Sequence, residues 1–227
     1  MEHVLDNPAW NALLSGNSNL AFGNEHVKHF DEAVSPFVGL KENTADYFQL
    51  LYDILPDGRF ALLVTTTEIS VPPQWKVLRA IYGFQMVCNA AFEPRGQHLE
   101  PIPLTNEHVP QMMELTKLTD PGPFAAKTID FGNYQGIFGD GQLVAMTGLR
   151  MQPYNYTEVS AVCTRPGYTG KGYARALLQN HINAISAAGQ VPFLHVKGDN
   201  ERAIRVYESL GFATRTEVWF YAMVKAR

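Results

Sequence analysis

A glycine-rich stretch in the second half of the chain combines the features of an anion-binding loop. The sequence RPGYTGKGYARALL, residues 165–178, places three glycines and one lysine between Gly167 and Ala174 and then becomes helical in pattern. Glycines allow a ligand to approach the backbone closely. A helix start presents unpaired N–H groups and the positive end of the helix dipole. Together these properties suit a phosphate or pyrophosphate group.

The spacing of the glycines excludes two common phosphate-binding motifs. A Walker loop has four residues between its first glycine and its Gly-Lys pair, and Ser or Thr follows. Here two residues separate Gly167 from Gly170, and Gly172 follows Lys171. A dinucleotide-binding G-x-G-x-x-G motif needs glycine at position 175, which is Arg175, and it normally opens the first βαβ unit of its domain.

Two blocks of sequence match a third family. TGKGYA, 169–174, resembles the R/Q-x-x-G-x-G/A signature of GNAT superfamily N-acetyltransferases, with Thr169 where the family has Arg or Gln. A second block, 193–212, resembles the family pattern N-x-x-A-x-x-x-Y-x-x-x-G-F; the matching residues are Asn200, Ala203, Tyr207, Gly211 and Phe212. The resemblance covers residues 99–227. The blocks are most similar to the branch of glycine N-acyltransferase-like proteins.

The resemblance implies a binding site for acetyl-CoA as the cosubstrate. Backbone groups of Val162, Cys163 and Thr164 would pair with the pantetheine arm, and the N–H of Val162 or a neighbour would polarise the thioester carbonyl. Asn200 would hydrogen-bond the pantetheine. The pyrophosphate would lie against Thr169, Gly170, Lys171, Gly172, Tyr173 and Ala174. No metal is expected, since His26 and His29 have no further ligand types at a recognised interval.

The resemblance also implies two catalytic residues. The Tyr207 hydroxyl would protonate the leaving thiolate, and an ordinary tyrosine pKa of about 10 suits an acid that stays protonated at neutral pH. Glu158 would take the proton of the acceptor ammonium, directly or through water, because it holds the place of the glutamate base in the histone-acetylating branch. The alternatives are a core position for Tyr207, a solvent-facing position for Glu158, and His195 as the base.

The candidate site residues can meet only if the predicted strands, loops and helices follow one another in a suitable order. The Pro-rich stretch 91–110 reads as a linker around one short strand, 99–104. A hairpin is predicted at Gly139-Asp140-Gly141. Hydrophobic periodicity predicts helices over 44–55, 105–118, 170–188 and 200–210, and strands over 59–68, 80–90, 157–164, 191–197 and 212–225. The predicted class is α+β, and the resemblance implies a GNAT fold, a mixed and mostly antiparallel sheet flanked by helices.

The linker divides the chain into two predicted regions. Residues 99–227 form the predicted GNAT acetyltransferase domain. Residues 1–98 form an N-terminal α+β region without a glycine-rich loop. Three interpretations stay open for it: a degenerate GNAT-like unit, a cover for the acceptor site, or an interface in a homodimer.

The composition excludes several classes of partner. A net charge of −4 and a pI near 6.0 argue against nucleic acid. Basic residues still gather near the glycine-rich stretch, namely Arg150, Arg165, Lys171 and Arg175. No apolar run reaches the roughly 18 residues of a membrane span, and the N-terminus lacks a signal-peptide pattern. With 2 cysteines and no disulfide framework, a cytoplasmic location without a membrane partner is expected.

The predicted function is acetyl transfer from acetyl-CoA to a primary amine of a small molecule or amino acid, by direct attack through a tetrahedral intermediate. The resemblance places the acceptor near residues 119–134 and 152–158, which are rich in Phe, Tyr and Pro. Such surroundings favour an amine with an apolar part. Because Thr169 departs from the signature, a non-catalytic acetyl-CoA-binding regulatory module is the alternative.

Overall fold

Two β-sheets and five α-helices make up most of the regular structure of residues 3–89 and 101–226, the part of the chain that the computed structural model describes. The helices are α1 (Pro8–Leu14), α2 (Ala45–Ile54), α3 (Val109–Thr119), α4 (Tyr173–Ala187) and α5 (Glu201–Glu208). The strands are β1 (Ala21–Gly23), β2 (Val27–Phe30), β3 (Val38–Leu40), β4 (Ala61–Thr65), β5 (Trp75–Cys88), β6 (Ile102–Pro103), β7 (Gln135–Gly139), β8 (Gln142–Leu149), β9 (Tyr156–Thr164), β10 (Val191–Lys197) and β11 (Phe212–Lys225).

The larger sheet is mixed and mostly antiparallel. Over the described residues its eight strands follow the order β4-β11-β5-β10-β9-β8-β7-β6, and β1, β2 and β3 form the smaller sheet. Neighbouring strands of the larger sheet run antiparallel, except for the parallel pair β9 and β10. The predicted α+β class is therefore confirmed.

Strands from both predicted regions build this sheet. The predicted boundary at residue 98 lies outside the described residues, as does the first half of the predicted linker, residues 91–100. However, β4 and β5 precede that boundary, and β5 lies between β10 and β11. The sheet of the second region is therefore completed by β5 of the first, and the division of the chain at residue 98, with a degenerate GNAT-like unit before it, stays a prediction.

Helices cover both faces of the larger sheet. On one face, α4 and α5 pack over a buried cluster that includes Leu178, Ile182 and Leu194. On the other face, α1 and α3 pack over a cluster that includes Leu13 and Phe193. Phe193 and Leu194 are adjacent on β10 and belong to different clusters, as expected where successive strand side chains point to opposite faces.

Most predicted elements of the second half are confirmed, with shifts at their ends. The hairpin between β7 and β8 turns at Asp140 and Gly141, whose φ angles are 52° and 76°. The helix predicted from residue 170 begins at Tyr173, because Gly172, with φ of 80°, serves as its N-cap. The elements α1, β1, β2 and β3 had no sequence prediction.

The parallel pair β9 and β10 separates after a short contact. Its register covers only Tyr156–Glu158 with Val191–Phe193, although β9 continues to Thr164 and β10 to Lys197. Beyond the last pair, the two strands leave a wedge in the middle of the sheet. The edge of β9 that faces this wedge is therefore available to an extended ligand.

Candidate active site

A β-bulge lies on β9 beside the wedge. The register with β8 shifts between Met146 and Gly148, so that Ala161 and Val162 lie opposite a single residue, Thr147. Ala161 has φ of 52°, which is unusual for a residue with a side chain. Ser160, Ala161 and Val162 all line the cavity in the wedge. A regular strand would present only alternate residues there, so the bulge turns the backbone towards the cavity.

The cavity has a volume of about 430 Å³ and reaches both parts of the chain. One wall is apolar and includes Leu62 of β4, Phe220 of β11, Phe37 just before β3 and Phe60 just before β4. The lining also includes the bulge of β9, Asn200 and Tyr207 of α5. The first region of the chain therefore contributes directly to the candidate site.

Only one of the two predicted acceptor loops lines the cavity. Residues 120–123 of the first loop, 119–134, border it. The second loop, 152–158, packs against the N-terminal segment instead: the Gly16 N–H donates to the Gln152 carbonyl at 3.1 Å, and the Tyr154 N–H donates to Ser15 Oγ at 2.8 Å. This contact could not be predicted from the sequence, because it joins residues far apart in the chain.

The glycine-rich loop leads from β9 to an uncapped helix. Gly167, Gly170 and Gly172 have φ angles of 85°, 81° and 80°, and a Cβ added at any of them would meet no atom within 4 Å. The glycines are therefore required by backbone conformation, and the space above them is open. No side chain caps α4 at Gly172, so its first N–H groups are available to an anion.

The side chains of this loop leave its backbone accessible. Thr169, Gly170 and Lys171 are exposed, and Tyr173 and Ala174 are half-buried in the first turn of α4. The Lys171 Nζ lies 4.6 Å from the centre of the Tyr168 ring. The structure thus brings the predicted pyrophosphate residues together around one helix start.

Cys163 and Thr164 complete β9 beyond the bulge. Cys163 pairs with Met146 and Thr164 with Ala145 on the β8 side, which leaves the opposite edge to the wedge. The Cys163 side chain is buried, and burial raises the pKa of its thiol to about 11. These residues therefore offer backbone groups to a ligand, and a thiolate nucleophile is disfavoured.

Asn200 has a structural role that the sequence had not indicated. Its Oδ1 accepts a hydrogen bond of 3.2 Å from the Ala203 N–H and so caps α5. The predicted helix included Asn200, whereas α5 begins at Glu201. Asn200 also lines the cavity. Its amide nitrogen can donate to a ligand while the oxygen holds the helix start.

Tyr207 lies on α5 and lines the cavity. Its side chain is 8% exposed. The hydroxyl makes no hydrogen bond to the described residues, yet it is absent from their fully buried polar atoms that lack a partner, so it is accessible. The hydroxyl therefore borders the cavity while the ring packs in the core. Burial, with a smaller effect of Cys163, raises the pKa of this hydroxyl to about 12.

Glu158 lies behind the cavity and does not line it. The side chain is fully buried. Its carboxylate accepts from Arg150 Nε at 2.8 Å, from Arg150 Nη2 at 2.5 Å, from the Met151 N–H at 3.3 Å and from His195 Nδ1 at 2.6 Å. Burial alone would raise the pKa of Glu158, but Arg150 and then His195 hold it well below its ordinary value.

This environment argues against Glu158 as a direct base. A carboxylate whose pKa is strongly lowered is a weak proton acceptor, and both oxygens are already engaged. The alternative of a solvent-facing position is also wrong, because the side chain has 0% exposure. The role of direct base stays a prediction that these contacts disfavour, while the carboxylate holds the Arg150 and His195 side chains in place.

His195 lines the cavity, and both of its ring nitrogens are engaged. The Gln85 Nε2 lies 3.1 Å from His195 Nε2. An amide nitrogen donates and cannot accept, so Nε2 is the acceptor and Nδ1–H donates to Glu158. Gln85 also donates to the Leu5 carbonyl at 2.8 Å and accepts from Arg215.

Sequence reasoning missed Gln85 and misplaced Arg150. Arg150 was grouped with the basic residues near the glycine-rich loop, but its guanidinium lies against Glu158. A charged pair across the β8–β9 turn could have been proposed from the eight-residue separation of Arg150 and Glu158. Gln85 carried no comparable signal, because its partners come from three distant segments.

The described residues hold no group of three or more His, Cys, Asp or Glu side chains placed to bind a metal ion. His26 and His29 make other contacts: the ring of His26 stacks on Tyr47, and His29 Nδ1 lies 3.1 Å from Arg59 Nη1. Over the same described ranges, every helix is too short or too polar to cross a membrane.

A family model and a solved structure both match this chain over the region of the candidate site. The family model of FR47-like proteins matches residues 134–220, which include the wedge, the glycine-rich loop and Tyr207. A crystal structure of a GNAT family protein from Novosphingobium aromaticivorans is similar over 100% of both chains, with a TM-score of 0.92 and 34% sequence identity. This full-length similarity confirms the expected fold.

Two curated relatives match parts of the chain. The N-alpha-acetyltransferase RimI of Mycobacterium tuberculosis is 35% identical over 101 residues, which are 41% of this chain and 62% of the relative. A mycothiol acetyltransferase of Nocardiopsis dassonvillei is 47% identical over 58 residues, which are 25% of this chain and 17% of the relative. The chain therefore spans less than two thirds of the length of each. The placement in the glycine N-acyltransferase-like branch stays a prediction.

Proposed function

The chain belongs to the GNAT family of acetyltransferases, and on that basis we propose that it transfers an acetyl group from acetyl-CoA to the primary amine of a small molecule or amino acid. The observation that carries this proposal is the continuity of the site. The bulged edge of β9 and Tyr207 line one cavity. The same strand leads through the glycine-rich loop to the uncapped start of α4.

The chain's own groups fit acetyl-CoA as the cosubstrate. The first N–H groups of α4 and the left-handed glycines offer donors to a pyrophosphate. The edge of β9 from the bulge to Thr164 offers backbone groups to an extended pantetheine arm, and Asn200 offers its amide. Thr169 supplies no positive charge, but the backbone donors do not depend on its side chain.

When bound, acetyl-CoA supplies a thioester carbonyl as the electrophile. The backbone N–H groups at Ala161 and Val162 are the donors placed to polarise that carbonyl. As the new C–N bond forms and the C–S bond breaks, the Tyr207 hydroxyl gives its proton to the leaving sulfur. A pKa near 12 keeps this hydroxyl protonated before the transfer.

The acceptor amine must be neutral when it attacks. The cavity lining contains three cations, Arg79, Arg150 and Lys197, and one carboxylate, Asp120. Nearby positive charge disfavours the ammonium form, so the lining itself promotes loss of the proton to water. We therefore do not assign Glu158 the role of direct proton acceptor, since its carboxylate lies behind Arg150.

The nature of the acceptor follows from the cavity more than from the relatives. The relatives carry names that specify an N-alpha-amine of a protein in one case and mycothiol in the other. The apolar wall and the volume of about 430 Å³ favour a small amine with an apolar part. The cytoplasmic location and the homodimer stay predictions.

The test is thiol release from acetyl-CoA across a panel of amino acids, small amines, polyamines and short peptides, with calorimetric titration of acetyl-CoA. We expect micromolar binding and release that requires one class of small amine. Binding of acetyl-CoA without thiol release for any compound of the panel would favour the non-catalytic regulatory module instead. Absence of binding would contradict both functions.

A further inference from the structure

The cavity holds an arginine whose guanidinium is only partly used by the protein. Arg150 gives Nε and Nη2 to Glu158 in a bidentate pair. Its Nη1 has no hydrogen-bond partner among the described residues and is not one of their buried unpaired atoms. The side chain is 11% exposed and borders the cavity. Nη1 therefore faces the space in which the acceptor would bind.

Aromatic rings hold this guanidinium in place. Arg150 Cζ lies 4.7 Å from the centre of the Phe37 ring, and the Phe37 and Phe220 rings lie 6.4 Å apart. The ring of Phe220 in turn lies 5.4 Å from that of His195. With Glu158 behind it and aromatic rings beside it, Arg150 has little freedom, so a ligand that binds it loses little to side-chain ordering.

The open edge of a guanidinium selects for shape as well as charge. Its N–H groups lie in one plane and match the two oxygens of a carboxylate. Apolar surroundings strengthen this contact, because water competes less for either partner. Lys197 in the lining is paired with Asp120 at 3.5 Å. Arg79 adds a further positive charge to the lining, which attracts an anion.

From these contacts we propose that the acceptor carries a carboxylate in addition to its amine, and that Arg150 binds this carboxylate through Nη1. Arg150 is then the residue that determines acceptor specificity, and Glu158 positions it. This inference rests on the proposed acetyl transfer. The acceptor class is a small amino acid in the broad chemical sense, which carries an apolar part in addition to its amine and its carboxylate.

The test compares acids with their neutral amides. The acceptors are γ-aminobutyrate, ε-aminocaproate, para-aminomethylbenzoate and L-phenylalanine, each beside its carboxamide, at equal concentrations of neutral amine. For the best pair we expect kcat/KM to be about 10- to 100-fold higher for the acid, the range of a charge-assisted contact. Equal values for acid and amide in every pair would overturn the inference.

A matched pair of variants tests whether Arg150 causes the preference for acids over amides. Arg150→Lys keeps a positive charge beside Glu158 and removes the planar edge, so we expect the preference to fall below about threefold while turnover of the amide persists. Arg205→Lys, on a side chain that is 68% exposed, is the control and should keep the wild-type preference. An unchanged preference in Arg150→Lys would contradict the assignment.

Equilibrium binding separates this inference from the proposed function. The N-acetyl derivatives of the same acids and amides are titrated by calorimetry in the presence of CoA. Tighter binding of the acids, lost in Arg150→Lys, would support the carboxylate site even if no compound were turned over. Turnover of the amides with no preference in rate or binding would uphold acetyl transfer and refute the role of Arg150.

Discussion

Arg150 and Glu158 form a bidentate ion pair in which the carboxylate is fully buried, with nitrogen–oxygen distances of 2.8 and 2.5 Å. The pair lies at the place where the sequence suggested a catalytic base. Its geometry makes Glu158 a support for the cavity lining, and several consequences can be measured.

Replacing Glu158 tests whether it supports the fold or takes a proton. In Glu158→Gln, Arg150 keeps its charge but loses the carboxylate, and breaking a buried pair in this way costs about 3 kcal/mol or more. We expect the free energy of unfolding, measured in urea, to fall by that amount. Because Glu158 is ionised in the folded protein and its pKa is lowered, its stabilisation is present at neutral pH and is lost only as the pH falls into the acid range.

An exposed glutamate provides the control for this substitution. Glu201 pairs with Arg205 at 3.1 Å, and both side chains are more than half exposed. Glu201→Gln should change the free energy of unfolding by less than about 0.5 kcal/mol. Unchanged stability of Glu158→Gln, together with a large loss of kcat and a shifted pH–rate profile, would instead restore the role of base.

Tyr207→Phe removes the proposed acid without removing its packing. The hydroxyl has no hydrogen-bond partner among the described residues, so we expect little change in stability. Turnover should fall by about 100-fold, a typical contribution of a general acid, while the dissociation constant of acetyl-CoA changes less than twofold. Tyr154→Phe, at a side chain that is 53% exposed, is the matched control. Equal loss of binding and turnover would refute the acid role.

Gly172→Ala tests the cofactor loop through its backbone. The φ of 80° at this N-cap strains any residue with a Cβ by about 1 kcal/mol or more, and the strain is relieved by moving the loop. We expect weaker acetyl-CoA binding. Gly58 has φ of 76° and equally open surroundings, and it lies outside the wedge. Gly58→Ala should lose comparable stability and retain its affinity for acetyl-CoA. Equal affinity of the two variants for acetyl-CoA would contradict the assignment of the glycine-rich loop as the cofactor-binding site.

The buried His181, which lies outside the wedge, should make the free energy of unfolding depend on pH. Burial lowers the pKa of His181 to about 4, against a hydrogen bond with Thr147 that raises it, and its Nε2 has no partner among the described residues. Between pH 6.5 and 4 the unfolded chain binds the proton more readily, so stability should fall as the pH falls. The loss should be about 2 kcal/mol between pH 7 and 5. Thermal melting of His181→Gln should show a smaller loss over that range, and an equal loss would contradict this assignment.

The chemistry of the cofactor side could be predicted because its signals are local. A left-handed glycine, a helix start and the spacing from Asn200 to Tyr207 are properties of short segments, and in the structure Asn200 and Tyr207 line the same cavity. The helix start itself was placed three residues early, since Gly172 occupies the N-cap and the preceding glycines form the loop.

The acceptor side could not be predicted, because its contacts join distant segments. The aromatic wall combines Phe37 and Phe60 with Phe220, and Gln85 reaches His195 only because β5 lies beside β10. The insertion of β5 depends on packing across the whole sheet. Period-two alternation identified Glu158 as a strand residue but could not show that Arg150 would cover it.

Amide hydrogen exchange with and without acetyl-CoA tests most directly whether the wedge is the cofactor site. We expect added acetyl-CoA to slow exchange in residues 167–176 and in residues 161–164 of β9, and to leave β1, β2 and β3 unchanged. Protection confined to other segments, or no change at saturating acetyl-CoA, would contradict the assignment of the wedge.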